Sequence, residues 1–177
     1  VLAVKNYFNY QKSIVATNLS TSMMLESIAN ETIRTKIGEA HVVQKMNELN
    51  IPIGGEGNGG VILKEVHLGR DSLVAISMIL SLLSSSGKSI SDEISNIPQY
   101  LMIKDKILID DKIDFDSLET IFDCNEINKI DGIKFIWPNK WIHIRKSNTE
   151  PIIRIFAEAK NQDEVNELIN TLKNYLK

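Results

Sequence analysis

The sequence predicts an open α/β domain in the first half of the chain and a small α+β domain in the second half. In the first half, short β-branched runs alternate with segments of helical hydrophobic spacing, which is the βαβα pattern of an open α/β sheet. In the second half, several strand-like segments follow one another, and a single amphipathic helix closes the chain. The segment SNIPQY has the composition of a linker, so we predict domains at residues 1–95 and 100–177.

The first elements of the chain are two helices and two strands. The opening VLAVKNYF has the pattern of the middle of an amphipathic helix and no initiating methionine, so we expect this chain to be part of a longer polypeptide. The run SIVATN predicts a short strand, and STSMMLESIANE predicts a helix with Ser20 as its N-cap. The β-branched run TIRTKIG predicts a second strand that ends at Gly38.

Two further helices are predicted in the first half. Residues 39–49 carry apolar side chains at helical spacing: Val42, Val43, Met46 and Leu49. Farther on, Asp71 leads into LVAISMILSLL, which is apolar on nearly all sides. We therefore expect this helix to be buried and to end at Gly87.

The second half is predicted to contain mainly strands. The segments LMIKDKILID, IDGIKFIWP, WIHIR and IIRIF have strand-like patterns. The closing helix begins near Asn161, which forms a capping-box pattern with Glu164. Its apolar residues share one face: Val165, Leu168, Ile169, Leu172 and Leu176.

The bulk composition is that of an ordinary globular protein. Hydrophobic residues make up 43% of the 177 residues and charged residues 24%. The formal net charge of −3 disfavours a nucleic-acid partner, because such proteins carry a basic excess. The single cysteine, Cys124, excludes an internal disulfide and permits a reducing, cytoplasmic location. The longest apolar run is too short to span a bilayer, so we expect no membrane partner.

The stretch GGEGNGG at residues 54–60 is the first candidate binding loop. Its glycines let a ligand approach the backbone closely, while Glu56 and Asn58 offer a carboxylate and an amide that suit sugar hydroxyls. The loop follows a predicted strand at residues 51–53, and open α/β sheets bind ligands at the carboxyl ends of their strands. A glycine-rich hairpin with one solvated glutamate fits the pattern equally well. The spacing matches neither a dinucleotide-binding fingerprint nor a P-loop.

The stretch RKSNTEP between two predicted strands is the second candidate. The groups in and beside it that could bind an anion are Arg145, Ser147, Asn148, Thr149 and Arg154. Guanidinium groups bind phosphate oxygens bidentately, hydroxyls add donors, and backbone amides of the loop complete the site. The alternative is a surface turn in which an arginine forms an ion pair with Glu150.

Together the two loops resemble those of the α-D-phosphohexomutase family, which contains phosphoglucomutases, phosphomannomutases and phosphoglucosamine mutases. GGEGNGGVILKEVHLGRD is similar to the family's sugar-binding loop, whose core is usually Gly-Glu-x-Ser-Gly-His. RKSNTEPIIRIFAEA is similar to its phosphate-binding signature, usually Arg-x-Ser-Gly-Thr-Glu-Pro. RTKIGEAHVVQKM fits the segment between the second and third strands of the family's third domain, so the resemblance covers nearly the whole chain.

The resemblance implies a fold and a set of site residues. The family has four domains, so residues 1–95 would form most of the third domain. Residues 100–177 would form the fourth, which resembles the TATA-binding-protein fold. Sugar contacts are implied for Glu56 and Asn58, with Lys36 as a further candidate. Contacts to the phosphate that is not transferred are implied for Arg145, Ser147, Asn148, Thr149 and Arg154.

Three positions depart from the family pattern. Asn58 stands where serine is usual, and it keeps donor and acceptor capacity. Gly60 stands where histidine is usual, which removes a polar side chain and leaves the sugar preference open. Asn148 stands where glycine is usual, and asparagine tolerates left-handed backbone.

The resemblance also implies chemistry outside this chain. The family transfers a phosphoryl group from a phosphoserine to a hexose phosphate, with Mg²⁺ on an aspartate-rich loop and hexose 1,6-bisphosphate as cofactor. The sequence contains neither the serine loop nor the aspartate-rich loop. We therefore expect N-terminal domains of the same polypeptide to be partners of this chain and the 177-residue chain alone to be inactive.

Two other functions fit parts of the sequence. One is a stand-alone phosphosugar-binding module without catalysis. The other is a nucleic-acid or protein-interaction domain, which only the fold of the fourth domain suggests and which the negative charge disfavours. Among the histidines, His67 is a candidate for sugar contact, and His143 could assist an anion only if its strand face is open.

Overall fold

The computed structural model describes residues 1–10, 13–108, 117–147 and 149–176. The α-helices are α1 (Leu2–Tyr10), α2 (Glu39–Glu48), α3 (Ser72–Ser86), α4 (Ile90–Ser95) and α5 (Gln162–Tyr175). The strands are β1 (Ile14–Asn18), β2 (Glu31–Thr35), β3 (Ile53–Gly55), β4 (Val61–Leu63), β5 (Leu101–Leu108), β6 (Glu126–Asn128), β7 (Ile133–Trp137), β8 (Lys140–Lys146) and β9 (Ile152–Ala159). The chain divides into two compact units, Val1–Gln99 and Tyr100–Lys177, and each is described by itself.

The first unit is built on a four-stranded sheet with the order β2-β1-β3-β4. Strand β1 runs parallel to β2 and to β3, while β4 pairs antiparallel with β3. In this register Asn18 pairs with Thr35, and Thr17 pairs with Gly55. The carboxyl ends of β1, β2 and β3 therefore lie along one edge of the sheet, and polar residues at these ends are brought together there.

Alternate strand residues of this sheet pack on opposite faces. Helices α1 and α3 cover the face that contains Val15 and Ile53. Helix α2 covers the other face, where Val42 and Met46 pack against Ala16. Burying each large aliphatic side chain contributes roughly 2 kcal/mol, so both layers hold the sheet edge in place. This is the open α/β architecture that the sequence predicts.

The second unit is a five-stranded antiparallel sheet with the order β5-β9-β8-β7-β6 and helix α5 packed against one face. Four of the five apolar residues predicted for α5 are buried, namely Val165, Leu168, Ile169 and Leu172, and the fifth, Leu176, is the C-cap and is partly buried. Along β8, Ile142 and Ile144 belong to the core beneath α5. Because side chains alternate along a strand, His143 and Arg145 lie on the opposite face. The predicted α+β class is thus confirmed.

The prediction that α3 is buried is wrong for one side of the helix. Met78 and Leu82 are buried, but Leu73, Ile76 and Leu80 are 74%, 53% and 60% exposed. Only one side of α3 packs on the first unit, and apolar composition alone does not supply a partner for the other side. The predicted ends of the helix are confirmed, because Asp71 accepts hydrogen bonds from the first-turn amides and Gly87 is left-handed at φ 67°.

The helix predicted in STSMMLESIANE is shorter than expected. A 3₁₀ helix spans Met23–Ser27, and its N-cap is Ser22 rather than Ser20. Ser20 is buried, and its amide donates to Asn18 Oδ1 at 3.0 Å. The polar residues before the helix are therefore used to fix the end of β1, which leaves fewer residues for the helix.

Four smaller points complete the fold. Strand β6 has no counterpart in the prediction, because three residues carry too little alternation to identify a strand. The Glu164 amide donates to the Asn161 side chain at 3.0 Å, which confirms the predicted start of α5. The end of the segment LMIKDKILID, beyond Leu108, lies outside the described residues. Within the described ranges, no helix combines the length and hydrophobicity needed to cross a bilayer.

Candidate functional site

Residues 54–60, hereafter the glycine hairpin, join β3 to β4 as an antiparallel turn. A Cβ on Gly55 would lie 2.2 Å from the carbonyl oxygen of Gly60, and Gly59 has a φ of 97°, so glycine is required at both places. The Glu56 amide donates to the same Gly60 carbonyl at 3.1 Å. The hairpin therefore stands at the carboxyl end of β3, on the sheet edge described above.

Glu56 is the best-held polar side chain of the glycine hairpin, and it is only 7% exposed. Its Oε1 accepts hydrogen bonds from Asn18 Nδ2 at 2.8 Å and from the Gly38 amide at 3.1 Å. Its Oε2 lies 3.5 Å from Nη1 of Arg70. The turn is thus a glycine-rich hairpin, but its glutamate is not solvated. Donors from three segments fix this carboxylate, which recognition of a hydroxyl requires.

Asn18, which supports Glu56, is itself held at the end of β1. Its Oδ1 accepts hydrogen bonds from the Ser20 amide and the Thr21 hydroxyl, both at 3.0 Å. Beside it, the Thr17 hydroxyl donates to the Gly55 carbonyl at 2.8 Å. These bonds tie β1 to the glycine hairpin and make the acceptor at Glu56 part of a continuous polar network.

Asn58 and Lys36 are more loosely held than Glu56. Asn58 is exposed, and its Oδ1 accepts a hydrogen bond from the Gly60 amide at 3.3 Å. Lys36 is also exposed, and it directly follows β2, so it lies at the sheet edge. In the described part of the chain, its ammonium group forms no ion pair. The hydrogen bond from the Gly38 amide connects the segment after β2 to Glu56. The ammonium group of Lys36, in the same segment, is available to a ligand.

Arg70, just before α3, connects two carboxylates. Its backbone amide donates to Glu39 Oε1 at 2.9 Å, and its Nε donates to Glu39 Oε2 at 2.8 Å. These bonds hold the pKa of Glu39 below its ordinary value, and the backbone hydrogen bond is the larger cause. Because the same guanidinium reaches Glu56, Arg70 links the start of α2 to the glycine hairpin.

His67 contacts the start of α3. Its Nε2 lies 3.0 Å from Asp71 Oδ2, and Asp71 is the N-cap of that helix. The hydrogen bond from the Val74 amide is the main cause that lowers the pKa of Asp71, and the bond to His67 adds to it. The structure therefore gives His67 a structural contact, and its suggested sugar contact stays a prediction.

Residues 145–154, hereafter the arginine hairpin, join β8 to β9. Arg145 and Arg154 lie directly opposite each other in the antiparallel register. The Ser147 amide donates to the Ile152 carbonyl at 2.9 Å and closes the turn. Like charges at opposed positions destabilise a sheet, so this pair needs anions nearby.

Each arginine of this pair has one carboxylate partner. Arg145 Nε lies 3.2 Å from Asp131 Oδ1, and Arg154 Nη2 lies 2.5 Å from Glu150 Oε2. The ion pair of the surface-turn interpretation is therefore present. Arg154 Nε also donates to Ser147 Oγ at 3.3 Å. Within the described residues, the terminal nitrogens of Arg145 and Nη1 of Arg154 have no hydrogen-bond partner, and none of these atoms is fully buried. The Arg145 side chain is 11% exposed and the Arg154 side chain is 39% exposed, so Arg154 presents the more open guanidinium to an anion.

The other predicted phosphate contacts have different outcomes. Thr149 is exposed, and its amide lies 3.5 Å from Ser147 Oγ, so it stands at the rim of the arginine cluster. Asn148 lies outside the described residues. The structure thus brings Arg145, Ser147 and Arg154 together, with Thr149 beside them.

The loop before β7 holds Arg145 through Asp131. The Asp131 carbonyl accepts a hydrogen bond from His143 Nε2 at 2.6 Å. His143 is fully buried, and this burial lowers its pKa to about 4, which the bond to Asp131 only partly opposes. Next in the chain, Gly132 has a φ of 70°, and a Cβ there would lie 2.2 Å from the Ile144 carbonyl oxygen. The side chain of His143 is enclosed by the protein, so this histidine does not meet the condition for assisting an anion.

Sequence reasoning missed three residues that support the site: Asn18, Arg70 and Asp131. Asn18 is the last residue of β1, and a polar residue at the carboxyl end of a predicted strand could have identified it as a site residue. Asp131 stands before a glycine, which marks a turn but does not identify Arg145 as its partner. Arg70 follows Glu56 by 14 residues, and only the hairpin and the turn after β4 bring the two together.

Two family models match the chain. "Phosphoglucomutase/phosphomannomutase, alpha/beta/alpha domain III" matches residues 1–100. "Phosphoglucomutase/phosphomannomutase, C-terminal domain" matches residues 106–174. The first match alone covers more than half of the chain. The chain therefore belongs to the phosphoglucomutase/phosphomannomutase family, which confirms the resemblance seen in its two loops.

Curated relatives agree with this assignment. The phosphoglucomutase/phosphomannomutase of Thermococcus kodakarensis is 35% identical over 164 residues, which are 88% of this chain and 36% of the relative. The phosphoglucosamine/phosphogalactosamine mutase of Sulfurisphaera tokodaii is 32% identical over 172 residues, which are 92% of this chain and 38% of the relative. The chain thus spans little more than a third of the length of these relatives.

Solved structures share the fold. A phosphoglucomutase/phosphomannomutase family protein from Burkholderia thailandensis matches with a TM-score of 0.79 and 20% identity over 99% of this chain and 39% of its own. N-acetylphosphoglucosamine mutase from Aspergillus fumigatus, solved with GlcNAc-6P and magnesium, matches with a TM-score of 0.69 and 14% identity over 99% of this chain and 45% of its own. Another structure of that enzyme contains glucose 1,6-bisphosphate. At these identities the likeness shows the fold alone.

Proposed function

We propose that this chain is the substrate-orienting part of a phosphohexomutase, which interconverts hexose 1-phosphate and hexose 6-phosphate through a phosphoserine enzyme. The arginine hairpin binds the phosphate that is not transferred, and the glycine hairpin binds sugar hydroxyls. The observation that carries this proposal is the opposed pair of Arg145 and Arg154 in a chain of this family, with Ser147 in contact with Arg154.

A phosphate dianion suits the arginine hairpin for electrostatic reasons. It would offset the repulsion between Arg145 and Arg154 and accept charge-assisted hydrogen bonds from both. Asp131 holds Nε of Arg145, which leaves the two terminal nitrogens of that guanidinium to face the ligand. The Arg154 side chain is 39% exposed and its partner Glu150 is 50% exposed, so a dianion can compete with this ion pair.

Hydroxyl and amide groups complete the phosphate site in this proposal. Ser147 Oγ already contacts Arg154 and can donate its own proton to a phosphate oxygen. Thr149 adds a second hydroxyl at the rim of the cluster. Asn148 is included on the strength of the family signature alone, because it lies outside the described residues.

The glycine hairpin supplies a fixed acceptor for the sugar. Glu56 Oε1 already accepts two hydrogen bonds, whereas Oε2 has only the Arg70 contact at 3.5 Å. A sugar hydroxyl would therefore donate to Oε2. Asn58 offers an exposed amide on the same hairpin, and Lys36 adds a cation at the end of β2.

The phosphoryl-transfer step belongs, in this proposal, to N-terminal domains of the same polypeptide. Such a step needs a nucleophile and charge neutralisation as well as positioning. Among the described residues, no group of three His, Cys, Asp or Glu side chains could hold a metal ion. Mg²⁺ and hexose 1,6-bisphosphate would act in those domains. A cytoplasmic location is part of this proposal, and the single cysteine, Cys124, is compatible with a reducing compartment.

Calorimetric titration with glucose 6-phosphate tests the proposal. The 177-residue chain should bind it, and Arg145→Ala should weaken binding by about 2–3 kcal/mol, as the loss of charge-assisted hydrogen bonds to a dianion does. Lys160→Ala is the matched control, because it removes an exposed cation just after β9 and should change little. Equal binding by wild type and the Arg145 variant, or mutase activity in the isolated chain, would contradict the proposal.

A further inference from the structure

Gly60 and Arg70 share one space at the glycine hairpin. A Cβ on Gly60 would lie 2.1 Å from Cδ of Arg70 and 2.7 Å from its Cγ. A side chain at position 60 is therefore incompatible with this placement of Arg70. The methylene groups of the arginine fill the space that a side chain at position 60 would need.

The placement of Arg70 is fixed at both its backbone and its side chain. The following amide, that of Asp71, donates to the Val61 carbonyl at 2.8 Å and ties this segment to β4. The guanidinium then bridges Glu39 Oε2 at 2.8 Å and Glu56 Oε2 at 3.5 Å. The Arg70 side chain is nevertheless 42% exposed, and its Nη1 at 3.5 Å is the donor nearest to Glu56 Oε2 among the described residues.

We propose that Arg70 is a further substrate-contacting residue, which favours a neutral oxygen substituent of the hexose phosphate over a protonated amino group. The proposal rests on the proposed function, because it assumes that the glycine hairpin binds the sugar. A guanidinium only donates hydrogen bonds and the Glu56 carboxylate only accepts them. A sugar hydroxyl can do both, so it fits the pair.

An ammonium group fits the same pair poorly. It only donates hydrogen bonds, so it can contact Glu56 but offers nothing to Arg70. It also carries a positive charge that Arg70 repels. Without Arg70 the carboxylates of Glu39 and Glu56 would be left with no guanidinium between them, and the site would attract an ammonium group. Removing this one charge should therefore shift the sugar preference in a known direction.

A purely structural role for Arg70 makes a different prediction. If the guanidinium only held Glu56 in place, its loss would weaken the binding of every hexose phosphate to the same extent. The ratio of the affinities for two sugar phosphates separates the structural role from the contact role. A disordered Glu56 would weaken binding of both sugars equally and would leave this ratio unchanged. Glucose 6-phosphate and glucosamine 6-phosphate form a suitable pair, since they differ only in a hydroxyl and an amino group.

The test is an NMR titration of the ¹⁵N-labelled 177-residue chain with each sugar phosphate, at a pH where the amine is protonated. In Arg70→Gln, the ratio of affinities should shift toward glucosamine 6-phosphate by about three- to tenfold, which a single charge at a few ångströms in a partly exposed site can supply. Arg70→Lys keeps the charge and should shift the ratio less than about twofold. Above the pKa of the amine, the shift should disappear.

A second variant tests the shared space. Gly60→Ala adds a methyl group where the Arg70 side chain lies, so it should displace the guanidinium and reproduce the shift of Arg70→Gln. In the double variant Gly60→Ala/Arg70→Gln, the alanine should cause no further shift in the affinity ratio, because the guanidinium that it displaces is already absent. Additive shifts would contradict the structural basis of the proposal.

The remaining outcomes are equally decisive. Parallel weakening of both sugars in Arg70→Gln would overturn the role of Arg70 and leave the proposed function standing. N-acetylglucosamine 6-phosphate, which carries a neutral substituent, should follow glucose 6-phosphate, and a shift toward it would also overturn the charge argument. If wild type bound inorganic phosphate but gained nothing from the sugar, the sugar-binding role of the glycine hairpin and this inference would both fail.

Discussion

The glycine hairpin and the arginine hairpin hold their polar groups in opposite ways. In the glycine hairpin, the Glu56 side chain is only 7% exposed and receives donors from Asn18 and Gly38, which are 38 and 18 residues away in sequence. In the arginine hairpin, Arg154 is half-exposed and contacts Ser147 and Glu150, which are seven and four residues away. One hairpin is therefore fixed by tertiary contacts and the other mainly by its own residues.

This difference suits two kinds of ligand group. A hydroxyl is recognised by short, directional hydrogen bonds, so its acceptor must be fixed in place. A phosphate dianion is attracted over a longer distance, and guanidinium groups that keep some freedom can adjust to it. The contrast predicts that changes around the glycine hairpin alter which sugar is preferred, whereas changes in the arginine hairpin alter how tightly any phosphate is held.

The largest expected effect contrasts one glycine from each unit. Gly132→Ala places a methyl group 2.2 Å from a backbone oxygen at a φ of 70°, so the second unit should lose about 3 kcal/mol of unfolding free energy. In Gly54→Ala the methyl group would lie 2.6 Å from the flexible Met46 sulfur and 2.9 Å from the Ala16 carbonyl oxygen, without the positive φ of Gly132, and the loss in the first unit should be about 2 kcal/mol.

Urea unfolding separates these two effects. Both tryptophans, Trp137 and Trp141, lie in the second unit, so their fluorescence reports its unfolding, and circular dichroism reports both units. An unchanged fluorescence transition in Gly132→Ala would show that the loop before β7 does not pack as described.

The next effect is a pH dependence confined to the second unit. His143 has a pKa of about 4 in the folded chain against 6.5 for the free side chain, because it is buried. The unfolded state therefore binds more protons between these values, and stability is complete above pH 6.5 and falls as the pH drops toward 4. The loss should reach about 3 kcal/mol, measured by urea unfolding at a series of pH values.

His143→Gln is the control for this titration. Glutamine keeps a donor for the Asp131 carbonyl but does not titrate, so the loss of stability above pH 4 should be much smaller. An equal slope in both proteins would assign the pH dependence to the carboxylates instead.

A smaller effect separates the two arginines. Arg154→Ala should weaken glucose 6-phosphate binding by about 1 kcal/mol, less than Arg145→Ala, because its exposed guanidinium is already shared with Glu150. Calorimetry with both variants and with Lys160→Ala gives the ranking. A larger loss of binding free energy in Arg154→Ala than in Arg145→Ala would contradict our assignment of Arg145 as the arginine that contributes more to phosphate binding.

The smallest effect concerns sugar preference. Glu56→Gln removes the charge beside Arg70 but keeps an oxygen for Asn18 and Gly38, so the hairpin should stay folded. The ranking among glucose, mannose and glucosamine phosphates should change by about three- to fivefold, and the glucosamine phosphate should lose most because its ammonium group loses a counter-charge. Uniform weakening of all three would exclude a sugar-reading role for Glu56.

Much of the fold could be predicted from local patterns. Alternation along Trp141 to Arg145 identified β8, and the spacing of Val165, Leu168 and Leu172 identified α5, because each pattern repeats over several residues. Helix α3 shows the limit of such reasoning, since its composition indicated burial but not how many sides would find a partner. The helix predicted to begin at Ser20 begins later, because Ser20 and Thr21 form hydrogen bonds with Asn18 at the end of β1.

The candidate site was predictable only in part. Glu56, Arg145 and Arg154 could be chosen because their chemistry and the adjacent turn residues are visible in the sequence. Their partners could not, since Arg70 and Asp131 are brought in by sheet register and loop geometry. The glycine at position 60 illustrates this most clearly, because its meaning depends on a side chain ten residues later that fills the space.

The most direct test of the central claim is residue-resolved NMR titration of the ¹⁵N-labelled chain with glucose 6-phosphate. We predict saturable shifts of amides in both hairpins, with those of residues 56–60 responding to the sugar phosphate but not to inorganic phosphate. Saturation of the arginine hairpin alone, by glucose 6-phosphate and inorganic phosphate equally, would show that this chain binds phosphate without reading the sugar and would contradict the account.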